Sequence, residues 1–294
     1  MGKIAGDDRP IDDRHRGRKT ILKFFILVAV ATLIVMGCIE GAGAFLDGHP
    51  AIEANPPLAD ILFTLAVFVP LALLALVGCA FSRVRPQVGA HPARWIGPSL
   101  AMGVGGVVIG MGYAWLRGGL SGGGSGGGIT LWWWGGTFLI LFQTMTEEVY
   151  FRGWMQPVLE RVWGGAAAVL LTALGFAVVH LASGPRPPLT LFNIFLAGVF
   201  FGLLTLRSRG LLAACAAHFA WNWSEQLVLG LDPNPGVGSF GALYDFELAG
   251  MPWWGGSTEG LNMSLGTSFV LLAFILPLAV WRFGAKPVAV ALPA

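Results

Sequence analysis

Charged residues are scarce in this chain. Asp, Glu, Lys and Arg make up only 12% of its 294 residues, whereas soluble domains carry roughly 25%. Hydrophobic residues make up 55%, and the mean hydropathy is +0.70. These proportions exclude an ordinary soluble domain and predict a protein that crosses a membrane several times. The sequence also lacks basic residues that alternate with exposed aromatic ones, so it predicts no nucleic-acid partner.

Cysteine is also scarce, and one common catalytic signature is missing. The three cysteines, Cys38, Cys79 and Cys215, lie in apolar runs without metal-type spacing. This pattern predicts small buried side chains rather than a disulfide framework.

The paired-histidine zinc motif H-E-x-x-H does not occur. The absence of a convincing internal repeat disfavours an inverted-repeat transporter.

Long apolar runs are the main feature that is present. Eight of them are long enough to cross a bilayer core about 30 Å thick as helices. They are residues 21–46, 58–81, 96–116, 129–151, 163–182, 189–206, 211–229 and 265–283. The first run is too long for a cleaved signal peptide, so we interpret it as a signal anchor. The fold class predicted is all-α, a polytopic membrane protein with about eight transmembrane helices.

The distribution of basic residues predicts the orientation. If the basic N-terminus is inside, alternation of the eight runs leaves only Arg117 and Arg186 of the 18 Lys and Arg residues outside. Because cytoplasmic loops carry an excess of Lys and Arg, this distribution predicts that both termini are cytoplasmic. We expect an integral protein of the bacterial plasma membrane, with the lipid bilayer as its surroundings.

Composition divides the chain into six segments. Residues 1–20 are predicted to form a polar cytoplasmic tail, and residues 118–128, which are rich in Gly and Ser, a flexible external linker. The other segments are three N-terminal transmembrane helices (21–117), a C-terminal helix bundle (129–230), an external loop (231–264), and a last transmembrane helix with a cytoplasmic tail (265–294).

Three charged residues follow the apolar stretch of residues 131–145. Glu147, Glu148 and Arg152 lie within six positions of each other, although each ionisable side chain at membrane depth costs about 2.5–3.5 kcal/mol. Glu148 and Arg152 are spaced i, i+4 and are expected to pair on one helix face. Glu147 points about 100° away and needs a partner of its own or a water-filled cavity.

Further polar residues lie on later runs. His180 follows Phe176 by four residues, and His218 precedes Asn222 by four, so each pair shares a helix face. A single histidine in a span is most often a packing residue that bonds to a carbonyl. Two histidines, two glutamates and an asparagine on three spans instead indicate one site.

This set of residue types can hydrolyse a peptide bond. A carboxylate in a partly apolar cavity can take a proton from water, and a neutral imidazole can orient that water. A second imidazole and a carboxamide can stabilise the oxyanion that forms. A metal site is the alternative, because two His and one Glu are a common ligand set for catalytic zinc. No cofactor is expected, but a divalent metal is possible, and its ligands would then be Glu147, His180 and His218.

Three motifs resemble those of a known family. They are Glu147-Glu148-x-x-x-Arg152, Phe176-x-x-x-His180 and His218-x-x-x-Asn222. Together and in this order they are similar to the motifs of the CAAX protease and bacteriocin-processing (CPBP, or Abi) family of intramembrane endopeptidases. The resemblance covers about a third of the chain, roughly residues 130–229.

The resemblance implies a role for each motif residue. Glu147 and His180 would activate water, and His218 and Asn222 would stabilise the oxyanion. Glu148 and Arg152 would be supporting residues. The bundle 129–230 would then be catalytic, and its substrate would be a membrane-anchored protein or peptide. The family is often labelled as metalloprotease, and the resemblance leaves the role of a metal open.

The depth of two site residues depends on where the fourth helix ends. If it ends near Phe151, Glu147 lies roughly 5–10 Å from the inner surface and His180 about 20 Å from it, at 1.5 Å per residue. The two side chains would then not meet. They come to similar depths if the helix continues to about Glu160.

Two other functions are compatible with the same helices. One is a non-catalytic membrane scaffold or immunity protein, which degraded motifs would have favoured. The other is a proton-coupled transporter in which Glu and His residues form a relay. Among the remaining polar residues, Glu40 and Glu225 are expected at the membrane interface, and Gln143 and Asn193 are expected to bridge helices.

Overall fold

The computed structural model describes residues 11–231 and 238–280, and all of their side chains except those of residues 11–20 and 183. Within these ranges the helices are α1 (Ile11–Asp47), α2 (Pro50–Glu53), α3 (Pro56–Phe81), α4 (Pro92–Leu116), α5 (Leu131–Glu148), α6 (Gln156–Val179), α7 (Pro188–Ser208), α8 (Leu212–Trp223) and α9 (Leu265–Val280). Two short strands, β1 (Leu120–Ser125) and β2 (Tyr244–Leu248), complete the regular structure. The predicted all-α polytopic fold is confirmed.

Irregular helical turns follow three of these helices. A π-helical turn, Val149–Met155, joins α5 to α6, and a second one, Ser224–Val228, follows α8. A 3₁₀ turn, His180–Ser183, follows α6. Wide π-helical turns are rare and are found frequently at functional sites. The turn Val149–Met155 contains Arg152 of the first motif, and the turn His180–Ser183 begins at His180 of the second motif.

Five helical segments of the described chain are long and apolar enough to cross a membrane. One of them, Leu131–Ala182, has 52 residues and contains both the fourth and the fifth predicted runs. The seventh predicted run forms α8, which has 12 residues, and the eighth forms α9, which has 16. Within the described residues, the number of segments long and apolar enough to cross a membrane is therefore five rather than eight. The fourth and fifth runs form one continuous segment, and the helices α8 and α9 are shorter than a full span.

The 52-residue segment bends at one glycine. Gly164 has φ 81° and ψ 167°, a conformation outside the helical region that glycine adopts without steric cost. Phe151 and Phe176 contact each other across this bend, with ring centroids 5.2 Å apart. The two arms of the segment are therefore antiparallel.

The bend explains how two site residues reach the same depth. The fourth predicted helix does not end near residue 151 but continues to Trp163, just before Gly164. Glu147 and His180 are then 17 and 16 residues from the bend, which corresponds to about 24 Å along each arm. Glu147 and His180 can reach the same depth only if the fourth helix continues to about Glu160, and in the structure it does.

The glycine-rich segment 118–128 is not a free linker. Its residues Leu120–Ser125 pair antiparallel with Tyr244–Leu248, with Leu120 opposite Leu248 and Ser125 opposite Tyr244. Gly122 and Gly123 have φ of 80° and 92°, which only glycine adopts readily. Composition predicted flexibility because it cannot reveal a hydrogen-bonding partner more than 100 residues away. The expectation of a flexible linker was wrong for this stretch.

Two buried clusters surround the long bent segment. One is formed largely by α4, α7, α8 and α9 and includes Phe200, Leu204 and Leu271. The other is formed by α1, α3, the first π-helical turn and α6, and includes Phe24 and Trp154. Helix α4 packs most extensively against α8, and α1 packs against α3. The division of the chain into segments that composition suggests stays a prediction.

Candidate active site

Glu148 and Arg152 form an ion pair inside the helix bundle. Both side chains are fully buried, and Arg152 Nη1 lies 3.0 Å from Glu148 Oε1. Arg152 Nη2 also donates a hydrogen bond of 3.0 Å to the carbonyl of Gly198 in α7. The pairing expected from the i, i+4 spacing is therefore present, and it links the end of α5 to α7.

Three phenylalanine rings surround the same guanidinium. Arg152 Cζ lies 4.7 Å from the ring centroid of Phe176, 5.5 Å from that of Phe201 and 5.7 Å from that of Phe151. Aromatic faces attract a cation, most strongly where water is excluded. Together with Glu148, these rings offset part of the cost of burying a charged arginine.

His218 of α8 lies between the two glutamates. Its Nδ1 is 2.9 Å from Glu148 Oε1, and its Nε2 is 3.7 Å from Glu147 Oε2. Glu148 is ion-paired with Arg152 and so acts as a hydrogen-bond acceptor, which means that His218 Nδ1 donates. The ring of Phe201 stacks on the imidazole, with centroids 4.6 Å apart. These contacts fix the ring so that Nε2 faces Glu147.

His180 lies at the end of α6, beside the same cluster. Its Nδ1 is 2.7 Å from the carbonyl oxygen of Phe176, and it must donate because a carbonyl oxygen only accepts. In the neutral ring Nε2 is therefore an acceptor. The Phe176 ring lies 4.7 Å from the His180 ring and 6.1 Å from the His218 ring. Phe176 thus contacts both imidazoles and brings His180 into the cluster.

Glu147 and Asn222 are more accessible than the ion pair. The Glu147 side chain is 13% exposed. Asn222 is partly exposed and lies one turn after His218 on the same face of α8. Within the described part of the chain, Asn222 makes no hydrogen bond to the other predicted site residues. Both side chains can contact water or a substrate.

The described residues do not form a ready-made metal site. No three His, Cys, Asp or Glu side chains among them are grouped as metal ligands. His218 uses Nδ1 for its hydrogen bond to Glu148, so Nε2 is the ring atom that could bind a metal. The ligand set Glu147, His180 and His218 stays a prediction.

Two residues outside the motifs complete the surroundings of the site. Phe201 contacts both Arg152 and His218, and Gln156 Nε2 donates to the carbonyl of Gly202 at 3.0 Å. Neither follows a spacing rule that is visible in the sequence. Their roles depend on which face of α7 is turned toward the bent segment, and that is a matter of tertiary packing.

The other polar residues are largely structural. Asn193 bridges helices as expected, because its Nδ2 donates to the carbonyls of Asn262 and Ser264 at 2.8 and 2.9 Å. Glu225 does not lie at an exposed interface. It is 2% exposed and accepts a hydrogen bond of 3.1 Å from Trp221 Nε1, so the side chain is enclosed by protein, and its expected depth at the membrane interface stays a prediction.

Comparison with known proteins supports the motif assignment. Residues 129–224 match the sequence model of a family described as type II CAAX prenyl endopeptidase Rce1-like. The match covers about a third of the chain and contains all three motifs. It confirms the resemblance to CAAX proteases and indicates a peptidase of this type. No curated protein and no solved structure matches the chain.

Proposed function

We propose that this protein is an intramembrane endopeptidase that hydrolyses a peptide bond of a membrane-anchored protein or peptide. The observation that supports this proposal best is the position of His218, which contacts Glu148 through Nδ1 and faces Glu147 through Nε2. The two glutamates come from one membrane-spanning segment and the histidine from a separate helix. Buried ionisable groups that converge in this way are costly, and they are characteristic of functional sites.

Glu147 is the proposed general base. As water attacks the peptide carbonyl, the Glu147 carboxylate takes a proton from this water, and it later gives the proton to the leaving amine. The partial exposure of its side chain admits the water. His180 is proposed to orient the same water, because Nε2 of its neutral ring accepts a hydrogen bond.

His218 and Asn222 are the proposed donors to the oxyanion. Donation from Nε2 of His218 requires a ring that is protonated on both nitrogens, and the Asn222 carboxamide can donate from the same face of α8. Glu148 and Arg152 support this step indirectly. Glu148 fixes the His218 ring through Nδ1, and Arg152 holds the Glu148 carboxylate. Each of these four residues keeps the role that the motif resemblance implies.

The proposed reaction uses only groups of the protein. We place the enzyme in the bacterial plasma membrane with both termini in the cytoplasm. This placement rests on the excess of basic residues at the predicted inner side. Comparing the termini of membrane proteins from cells with and without the active enzyme would identify the natural substrate.

The central test is the variant Glu147→Gln, which keeps the size of the side chain and removes the base. Purified protein in liposomes should lose about 10²–10⁴-fold in cleavage of a membrane-anchored model substrate, the usual contribution of a general base. His180→Ala should also abolish measurable cleavage. Both variants should remain folded, as judged by melting temperature.

Glu160→Gln is the matched control, because Glu160 is an exposed carboxylate on the same bent segment. It should cleave at the wild-type rate. Unchanged turnover in both Glu147→Gln and His180→Ala would overturn the assignment. Substrate uptake that depends on a proton gradient, with no cleavage, would instead support a transporter.

A further inference from the structure

The π-helical turn Val149–Met155 begins immediately after the two glutamates of the site. A π-helical turn has one extra residue compared with an α-helical turn, so it rotates the residues that follow relative to those that precede. Here it allows Glu148 to face α8 and Arg152 and Gln156 to face α7. Because such turns are uncommon and less stable than α-helix, contacts from outside must hold this one in place.

The end of helix α3 makes these contacts near the end of the turn. Trp154 Nε1 donates to Ser82 Oγ at 3.0 Å, and Cys79 Sγ lies 3.7 Å from the Gly153 carbonyl as a weak donor. The indole lies directly on Gly78, where an added Cβ would come within 2.3 Å of its atom Cε2. Three contacts thus join the end of α3 and its C-cap residue Ser82 to two residues of the turn.

The indole is enclosed on its other sides as well. Trp154 is 1% exposed, and the rings of Phe24 and Tyr150 meet it edge-on at centroid distances of 5.8 and 5.2 Å. Further along α6, Arg161 donates to the carbonyls of Ser82 and Arg83 at 3.1 Å, where α3 ends. The end of α3 is therefore fixed along both the turn and the start of α6.

A displacement of this turn would reach the reacting groups through a short path. Gly153 and Trp154 directly follow Arg152, which holds Glu148, and Glu148 holds His218 through Nδ1. A shift of the turn moves the guanidinium and then the imidazole. Misplacement by about 1 Å at a distance from the chemistry can cost 10²-fold in rate.

We propose that Trp154 is a positioning residue for the proposed peptidase reaction and that it is held in place by Gly78 of α3 and by Ser82, the residue that caps this helix. The N-terminal helix α3, which lies outside the segment 129–224 that matches the family, is thereby part of the catalytic unit. This inference rests on the proposed function, because it assigns α3 a role in the same reaction.

The test is Gly78→Ala, which adds one methyl group against the indole. The Trp154 ring cannot yield as a flexible side chain can, so the π-helical turn must shift. We expect kcat per folded molecule to fall about 10²-fold with KM unchanged. Gly105→Ala in α4 is the matched control, because an added Cβ there meets nothing within 4 Å, and its kcat should equal that of the unmodified protein.

Ser82→Ala provides a second variant in case Gly78→Ala does not fold. It removes the acceptor of the Trp154 N–H without adding volume, and kcat should fall in the same direction by a smaller factor. If both variants have only a lower melting temperature and an unchanged kcat per folded molecule, α3 is merely structural and the inference is wrong. If the unmodified protein cleaves no substrate, the proposed function fails instead.

Discussion

The two fully buried charged side chains of the site, Glu148 and Arg152, are partners of opposite sign. Glu148 is in contact with both Arg152 and His218, and Phe201 contacts the guanidinium and the imidazole. Removing one partner of a buried ion pair typically costs about 3–5 kcal/mol, because the other charge stays buried and unpaired. Variants of Glu148 or Arg152 therefore change stability together with activity. The partly exposed residues Glu147 and Asn222 are better probes of chemistry alone.

Asn222→Ala tests the proposed oxyanion donor. The side chain makes no hydrogen bond to the ion pair, so its loss should leave the melting temperature unchanged. Turnover of the model substrate should fall by roughly 10²–10³, the usual effect of removing one oxyanion donor. Asn55→Ala is a suitable control, because Asn55 is exposed and makes no side-chain cap at the start of α3. A wild-type rate for Asn222→Ala would remove Asn222 from the site.

Motif spacing predicted the residue pairs that lie on a single helix. The Glu148–Arg152 contact follows from an i, i+4 spacing, and the structure contains it. Spacing could not show that His218 Nδ1 would bind Glu148 or that Phe201 would stack on His218. Both contacts join α8 or α7 to other helices, and no periodicity within one helix specifies its neighbours.

At the scale of secondary structure elements, the sequence predicted most of the apolar helices but not their irregularities. The end of the fourth helix was placed too early because the apolar run becomes polar near residue 151, and burial of Glu148 and Arg152 by partners allows the helix to continue. Strand β1 was missed because its pairing partner β2 is remote in sequence. In both cases tertiary contacts overrode the local composition.

Helix α7 meets the bent segment through a stripe of two glycines. The carbonyls of Gly198 and Gly202 accept hydrogen bonds from Arg152 and Gln156, both at 3.0 Å. An added Cβ on Gly198 would lie 2.9 Å from the Cα and Cβ of Ala173. Small residues at such positions allow membrane helices to approach closely. The stripe therefore sets the distance between α6 and α7 and the position of the acceptor for Arg152.

Gly198→Ala should consequently be destabilising. The methyl group meets backbone rather than a flexible side chain, so α6 and α7 must separate, at a cost of about 1–3 kcal/mol for overpacking. Denaturant unfolding in mild detergent would measure this loss. Gly112→Ala in α4 adds a methyl group into open space, and it should be neutral or stabilising by up to about 1 kcal/mol, because alanine favours a helix interior more than glycine does. Equal stability of the two variants would contradict the proposed role of the glycine stripe.

In the whole molecule, regions on both sides of the family-like segment pack onto it. Helices α1 and α3 cover the first π-helical turn and α6, whereas α4 and α9 pack with α7 and α8. The segment between β2 and α9 reaches back to α7 and to the loop before it. Its residue Leu261 is fully buried, and its neighbour Asn262 accepts a hydrogen bond from Asn193. The site is therefore held by chain segments far apart in sequence.

One ion pair connects this segment to the helix end that carries His180. Arg186 Nη1 lies 2.7 Å from Glu259 Oε2, and Arg186 Nε donates to the His180 carbonyl at 3.2 Å. Both side chains of the pair are about one-tenth exposed. Because solvent screens the pair only weakly, it should contribute more than a typical surface ion pair, which is worth at most about 1 kcal/mol.

A double-mutant cycle with Arg186→Ala and Glu259→Ala isolates this contribution, because Arg186 has other partners that a single variant would also remove. We expect a coupling free energy of unfolding of about 0.5–3 kcal/mol, the range for residues in direct contact. The matched cycle pairs Arg186→Ala with Glu247→Ala, an exposed carboxylate of β2, and should give additive effects. If the two cycles give the same coupling, the ion pair does not link this segment to the end of α6. A coupling found only for the Arg186–Glu259 pair would mean that the segment between β2 and α9 stabilises the end of α6, where His180 lies. This segment lies outside residues 129–224, which match the family.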